Sequence, residues 1–162
     1  MPARILSAKV LTVSDGVAAG TRTDRSGPAL AEYLDRSGYR VDDRRHVADG
    51  VEPVTAAILE MSSGFEGLIV TTGGTGFGPR DLTPEGTLGA LERQAPGLAE
   101  AMRAVNPAKG LLSRGVAGTV GACIVVNTPG SESGAVECLE AILDALPHAL
   151  ALLAGNPTAH PA

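Results

Sequence analysis

The stretch Leu68-Ile69-Val70-Thr71-Thr72-Gly73-Gly74-Thr75-Gly76-Phe77-Gly78-Pro79-Arg80-Asp81 begins as a wholly apolar run and ends as a glycine-rich polar turn. An apolar run without polar alternation is what a parallel strand covered on both faces requires. Glycines directly after such a strand let the backbone approach a ligand and aim N–H groups at phosphate oxygens. The segment therefore predicts a central buried strand carrying a phosphate-binding turn over Gly73 to Gly78. The same glycines also fit a tight turn with no ligand. The pattern G-x-x-x-x-G-K followed by Ser or Thr is missing, and Pro79 stands where G-x-G-x-x-G needs its last glycine. Both facts argue against a nucleotide-hydrolysing P-loop and against a dinucleotide fold.

Strand-like and helix-like patterns alternate on either side of this segment. Ala8 to Val13 reads as a first strand that runs into the polar turn Ser14-Asp15-Gly16. A helix follows from Ser26-Gly27-Pro28, where a capping residue and a first-turn proline both fit, to Gly38, with Leu30 and Leu34 inside. Tyr39 to Val47 reads as a second strand, polar enough for a sheet edge, and leads into Ala48-Asp49-Gly50. Val54, Ile58 and Met61 then recur at helical spacing before Gly64. Past the glycine turn, Thr83-Pro84-Glu85 offers a hydroxyl cap, a proline and an acid in the order of a helix start. Leu98, Met102 and Val105 mark a further helix after Pro96-Gly97. Ala122 to Val126 is another apolar strand, ending in Asn127-Thr128-Pro129-Gly130-Ser131. Behind it, apolar residues from Val136 to Leu153 keep a three/four spacing through a helix that Pro147 should kink or divide.

This alternation predicts βαβ units and hence a three-layer α/β/α single domain with a mostly parallel central sheet. A length of 162 residues suits one domain over 1–162, with its core from about 5 to 153 and a mobile tail from Asn156 to Ala162. Aromatic residues make up only 2%, so the core must be aliphatic. A net charge of -5, with no basic stripe and no aromatic platforms, excludes a nucleic-acid binder. Cys123 and Cys138 lack any close Cys or His partner and read as two buried thiols. No apolar stretch reaches the roughly 18 residues of a membrane span, and the N-terminus lacks the form of a signal peptide. The expected setting is soluble and cytoplasmic. His46, His148 and His160 have no ligand-like spacing.

In an open parallel sheet, ligands bind beyond the carboxyl ends of the strands. Ser14-Asp15, Asp49, Gly73 to Asp81 and Asn127 to Ser131 all fall there. Asp15, Asp49 and Asp81, with no His or Cys beside them, suit a hard cation such as Mg²⁺ if they converge; each alone also fits a turn or cap. Arg80 and Arg114 can pair with phosphate or with surface acids. Thr83-Pro84-Glu85 and Pro129-Gly130-Ser131 likewise fit a helix start and a strand-to-helix turn.

Thr72-Gly73-Gly74-Thr75-Gly76, followed by Arg80-Asp81 and Thr83-Pro84-Glu85, resembles the signature of the MogA/MoaB family of molybdenum-cofactor biosynthesis proteins. Ser14-Asp15, Asp24 with Ser26-Gly27, Asp49, Ser113-Arg114 and Asn127 with Pro129-Gly130-Ser131 support it, over roughly residues 5 to 153. Ala48, Thr128 and Glu132-Ser133 differ from the residues usual at those places. The resemblance implies a molybdopterin adenylyltransferase that transfers AMP from Mg-ATP to the terminal phosphate of molybdopterin and releases pyrophosphate. It also implies a homotrimer and a hand-over to a molybdate-inserting protein of the pathway. Carried across, Asp49 and Asp81 would be the catalytic and Mg²⁺-holding residues, and Gly73, Gly74, Thr75 and Gly76 would cradle phosphate. Ser14, Asp15, Arg80, Thr83, Pro84, Glu85, Ser113, Arg114, Asn127, Pro129, Gly130 and Ser131 would line the substrate pocket. A non-catalytic pterin-binding protein of the same pathway, and an unrelated α/β nucleotide-binding domain, are the alternatives.

Overall fold

The computed structural model describes residues 4–156, and in it the apolar run at Leu68 lies in β3 (Glu66–Thr72), between β1 (Leu6–Val13) and β6 (Ala122–Thr128). Both faces of these strands are apolar, which is why they lack polar alternation. Ala8, Val10, Leu68, Val70, Ile124 and Val126 point to one side; Leu11, Val13, Ile69, Cys123 and Val125 point to the other. The first side is covered by α2 (Ser26–Arg36), α5 (Pro96–Ala104), α7 (Glu132–Leu143) and α8 (Leu146–Leu153), through Leu30, Leu34, Met102, Leu139 and Leu146. The second is covered by α3 (Val51–Ser62) and α4 (Thr83–Ala90), through Val54, Ile58, Met61 and Ala90. The result is a three-layer α/β/α domain.

The sheet runs β2-β1-β3-β6-β5-β4, with β2 (Tyr39–Val47) at one edge as its charged sequence predicts. β2, β1, β3 and β6 are mutually parallel. The other edge is different: β5 (Ala117–Val120) runs antiparallel to β6, and β4 (Arg93–Gln94) antiparallel to β5. Neither strand was expected, because two to four residues of mixed polarity carry no period. The same holds for two short helices, α1 (Asp15–Ala18), read above as a polar turn, and α6 (Pro107–Gly110).

Three local expectations change. Thr83 does not cap α4: Leu82 occupies the N-cap with no side-chain hydrogen bond, and Thr83 Oγ1 is buried without a partner among the described residues. Val105 lies past the end of α5 and is exposed, while Ala99 joins Met102 on the buried stripe. Cys123 is buried but Cys138 only partly so, and both are free thiols. Pro147 stands in the first turn of α8, so the long C-terminal pattern is two helices. The tail expected to be mobile falls, from residue 157 onward, outside the described residues.

At the carboxyl end of β6, Asn127 is 3% exposed and ties three elements together. Its Nδ2 donates to Thr71 Oγ1 of β3 and Thr87 Oγ1 of α4, each at 2.9 Å, and its Oδ1 accepts from Val116 N at 3.1 Å. Buried polar groups left without partners are costly, so this network is sensitive to any member's loss. Asn127→Ala is expected to lower stability by about 1 to 3 kcal/mol in urea unfolding. Leu68→Ala, which opens a cavity at a site wholly shielded from solvent, should cost about 2 to 5 kcal/mol in the same measurement.

Candidate active site

From β1 the chain crosses through α2 to β2 on one side, whereas β3 lies on the other side and leads on to β6. The order reverses between β1 and β3, which is where a parallel sheet opens a crevice beyond its strand ends. A cleft of about 840 Å³ lies there, lined by Thr12, Val13 and Ser14 from the tip of β1 and by Thr72, Gly73 and Gly74 from the tip of β3. Asp49, Asp81, Gly130 and Ser131 complete the part expected from sequence.

Two glycines shape this rim. Gly73 has φ +100°, and a Cβ there would collide with the carbonyl oxygen of Val13. Gly74 has φ +67°, and its Cβ would strike Thr83 Oγ1 and come within 3.0 Å of Asp49 Oδ1. Positive φ is available to glycine at little steric expense, so the turn brings bare backbone against the Asp49 carboxylate. Asp81 sits under the same loop, where its Oδ2 accepts from Gly78 N at 2.8 Å. Gly74, Asp49 and Asp81 thus gather at one cleft.

The N–H groups of the turn divide into two sets. Gly73 N donates to Thr128 O at 3.1 Å and Gly78 N is taken by Asp81. The N–H groups of Gly74, Thr75 and Gly76 meet no acceptor among the described residues. The unclaimed donors therefore begin one residue later than Gly73, the first residue of the expected phosphate cradle.

Asp15 is engaged differently from Asp49 and Asp81. Arg80 forms a two-pronged pair with it, Nε to Oδ2 and Nη2 to Oδ1, both at 2.9 Å, and Nη2 also reaches Asp49 O at 3.0 Å. The Arg80 guanidinium holds the Asp15 carboxyl below the usual carboxylate range. Asp15 N donates to Asp49 Oδ2 at 2.9 Å and Asp49 N returns a bond to Asp15 Oδ1 at 3.1 Å. Both oxygens of Asp15 are therefore claimed by protein donors, and the three-aspartate convergence is not formed. Among the described residues no group of three or more His, Cys, Asp or Glu side chains could hold a metal. Asp49 and Asp81 each keep Oδ1 without a protein donor among the described residues, which suits Mg²⁺, a cation that takes one or two carboxylates and completes its shell with water and phosphate oxygens.

Arg114 is bound into the loop's support. It pairs with Glu85, donates to Asp81 O and, through Nε, to Gly76 O at 2.8 Å; its own N donates to Thr75 O at 2.9 Å. This keeps the Glu85 carboxyl below its ordinary value. Thr83, Pro84 and Glu85 therefore stand behind the turn, in α4, and outside the cleft lining.

Ser113, Asn127, Pro129 and Ser131 line a second hollow of about 230 Å³, with Met102, Arg103, Lys109 and Cys138. Ser131 borders both cavities, so the two adjoin there. Ser14 caps α1, its Oγ accepting from Val17 N at 3.3 Å.

A polar layer in the cleft wall joins Asp24, Ser26-Gly27 and Thr72, named above only for the family resemblance or as a helix start, to Thr12. Thr12 donates to Asp24 Oδ2 at 2.8 Å, and Gly27 N donates to Asp24 Oδ1 at 3.0 Å. The Thr72 hydroxyl donates to Pro129 O at 2.8 Å and shares a hydrogen bond with Ser26 at 2.9 Å. The available signal was a threonine at or next to the end of each apolar strand. Arg22 and Arg25, which also line the cleft, were missed because they stand in a loop without pattern.

The family model described as "Probable molybdopterin binding domain" matches residues 9–148. The chain is 35% identical over 155 residues to a protein named molybdopterin adenylyltransferase from Helicobacter pylori strain J99, covering 91% of this chain and 87% of that one. It is 40% identical over 153 residues to a molybdenum cofactor biosynthesis bifunctional protein from Chlorobaculum tepidum; there it covers 91% of itself but only 48% of the relative, about half its length. A crystal structure described as the molybdopterin biosynthesis enzyme MoaB from Thermus thermophilus superposes with a TM-score of 0.85 at 43% identity, covering 94% of this chain and 98% of that one. The family match runs from the middle of β1 into α8, and the chain belongs to the family of molybdopterin binding domains that includes the MogA and MoaB proteins of molybdenum-cofactor biosynthesis.

Proposed function

We propose that this protein is a molybdopterin adenylyltransferase that joins AMP, taken from Mg-ATP, to the terminal phosphate of molybdopterin. The observation that carries this is the gathering of Asp49, Asp81 and the unclaimed N–H group of Gly74 at the cleft between the tips of β1 and β3, with the unclaimed N–H groups of Thr75 and Gly76 next in the chain. In the reaction an oxygen of the molybdopterin phosphate bonds to the α-phosphorus of ATP, the bond from that phosphorus to the bridging oxygen breaks, and pyrophosphate leaves with the electron pair. A phosphate monoester is largely ionised near neutral pH, so no protein base is required for attack. Such transfers need alignment and charge neutralisation more than a protein nucleophile.

Each residue then has a part. Asp49 and Asp81 would hold Mg²⁺, whose charge offsets that of the triphosphate and of the departing pyrophosphate. The N–H groups of Gly74, Thr75 and Gly76 would donate to phosphate oxygens. Asp15 and Arg80 would keep the Asp49 loop in place. The smaller hollow, joined to the cleft at Ser131 and flanked by Met102 and Cys138, would take the pterin. A homotrimer, for which the exposed Phe77, Leu111 and Leu112 offer apolar surface, and hand-over of the product to a molybdate-inserting protein complete the proposal.

Pterin binding without transfer is the second possibility, supported by the protein N–H donors that already engage one oxygen of Asp49 and one of Asp81. The two are separated by measuring pyrophosphate release with ATP, Mg²⁺ and molybdopterin. Transfer predicts release that depends on molybdopterin; bound pterin with no release would leave only the second. Asp81→Asn keeps an acceptor for Gly78 N and should leave the unfolding midpoint in place. It should slow release by about 100-fold or more and raise the Mg²⁺ concentration needed. An Asp81→Asn protein with the wild-type rate would remove Asp81 from the metal site.

A further inference from the structure

Four arginines stand near the carboxyl ends of the strands, and they are of two kinds. Arg80 and Arg114 are tied to Asp15 and Glu85 and to backbone carbonyls around the glycine turn. Arg22 and Arg25, on the loop between α1 and α2, also line the large cleft, yet their guanidinium groups form no hydrogen bond or ion pair with any described residue. Their backbones are fixed all the same. Arg22 N donates to Gly16 O at 3.1 Å, and Arg25 is the N-cap residue of α2, its O accepting from Ala29 N at 3.3 Å.

The nearest acid in sequence does not neutralise them. Asp24 lies between the two in the chain, but its oxygens accept from Thr12 Oγ1 and Gly27 N. Two arginines with anchored backbones and no protein partner for their guanidinium groups therefore line a cleft whose other lining groups include the Asp49 and Asp81 carboxylates. In a chain of net charge -5, attraction for a polyanion has to be local. Arginine is the side chain whose planar fork matches two phosphate oxygens at once.

We propose that Arg22 and Arg25 are phosphate-binding residues of the cleft, gripping the polyphosphate chain of a nucleotide from the α1–α2 loop. Their position on that loop makes it a specificity element: it favours a ligand with several linked phosphates over one with a single phosphate. The inference rests on placing the nucleotide in this cleft, as proposed above.

The test is calorimetric titration of the full chain, in Mg²⁺, with inorganic tripolyphosphate and separately with ATP. Wild type is compared with Arg22→Gln, Arg25→Gln and the double variant. The Kd for both probes should rise about tenfold in each single variant and about a hundredfold in the double, with the thermal midpoint unchanged. Arg22→Lys and Arg25→Lys, which keep the charge but lose the fork, should fall between. Equal affinity in the wild type and the double variant, or no binding of either probe to the wild type, would overturn the inference. If the predicted losses appear while wild type releases no pyrophosphate with molybdopterin, phosphate recognition by this loop stands and adenylyl transfer falls.

Discussion

The close approach of the β3 tip to the β1 tip sets where the glycine turn and the Asp49 carboxylate of the cleft lie. Gly73 meets the carbonyl of Val13 at a distance that leaves no room for a Cβ, and Gly74 then turns the chain against Asp49 and Thr83. Parallel pairing of β1 with β3 down to Thr12 and Thr72 delivers both tips to the same level. The crossover of α2 to β2 leaves the space above them open. A cleft at this place thus follows from the order of the strands and from two unsubstituted α-carbons.

Around that point the charges are arranged to hold the loops before any ligand arrives. The Asp15–Arg80 pair is solvent-exposed, and such pairs contribute little to folding. What it does is geometric: with the reciprocal bonds between Asp15 and Asp49, it keeps the β2–α3 loop against the β1 end. Arg114 does the same between the glycine turn and α4. The carboxylates of Asp49 and Asp81 and the free N–H group of Gly74 are what these clamps leave at the cleft.

Much of the fold was legible because the strands carry their burial in their composition. Leu68 to Val70 and Ala122 to Val126 could only be covered on both faces, and the charged run from Tyr39 to Val47 could only be an edge. The antiparallel β5 and β4 were not legible, since Ala117 to Val120 and Arg93-Gln94 owe their strand form to pairing with β6 and with each other. At the site, position after the strands pointed to Asp15, Asp49 and Asp81 together, and only the family resemblance singled out Asp49 and Asp81. Sequence spacing does not say which of several nearby charges will pair. By spacing alone Asp15 is equivalent to the other two aspartates, and the difference lies in Arg80, which takes both its oxygens. For the same reason Arg80 and Arg114 drew notice while Arg22 and Arg25, the unpaired ones, did not.

The most direct test is a crystal structure of the protein with Mg²⁺ and a non-hydrolysable ATP analogue. The account predicts phosphate oxygens within hydrogen-bond reach of the N–H groups of Gly74 to Gly76 and a cation bound by Asp49 or Asp81. A nucleotide seated away from the β1–β3 rim, with both carboxylates left in water, would contradict it.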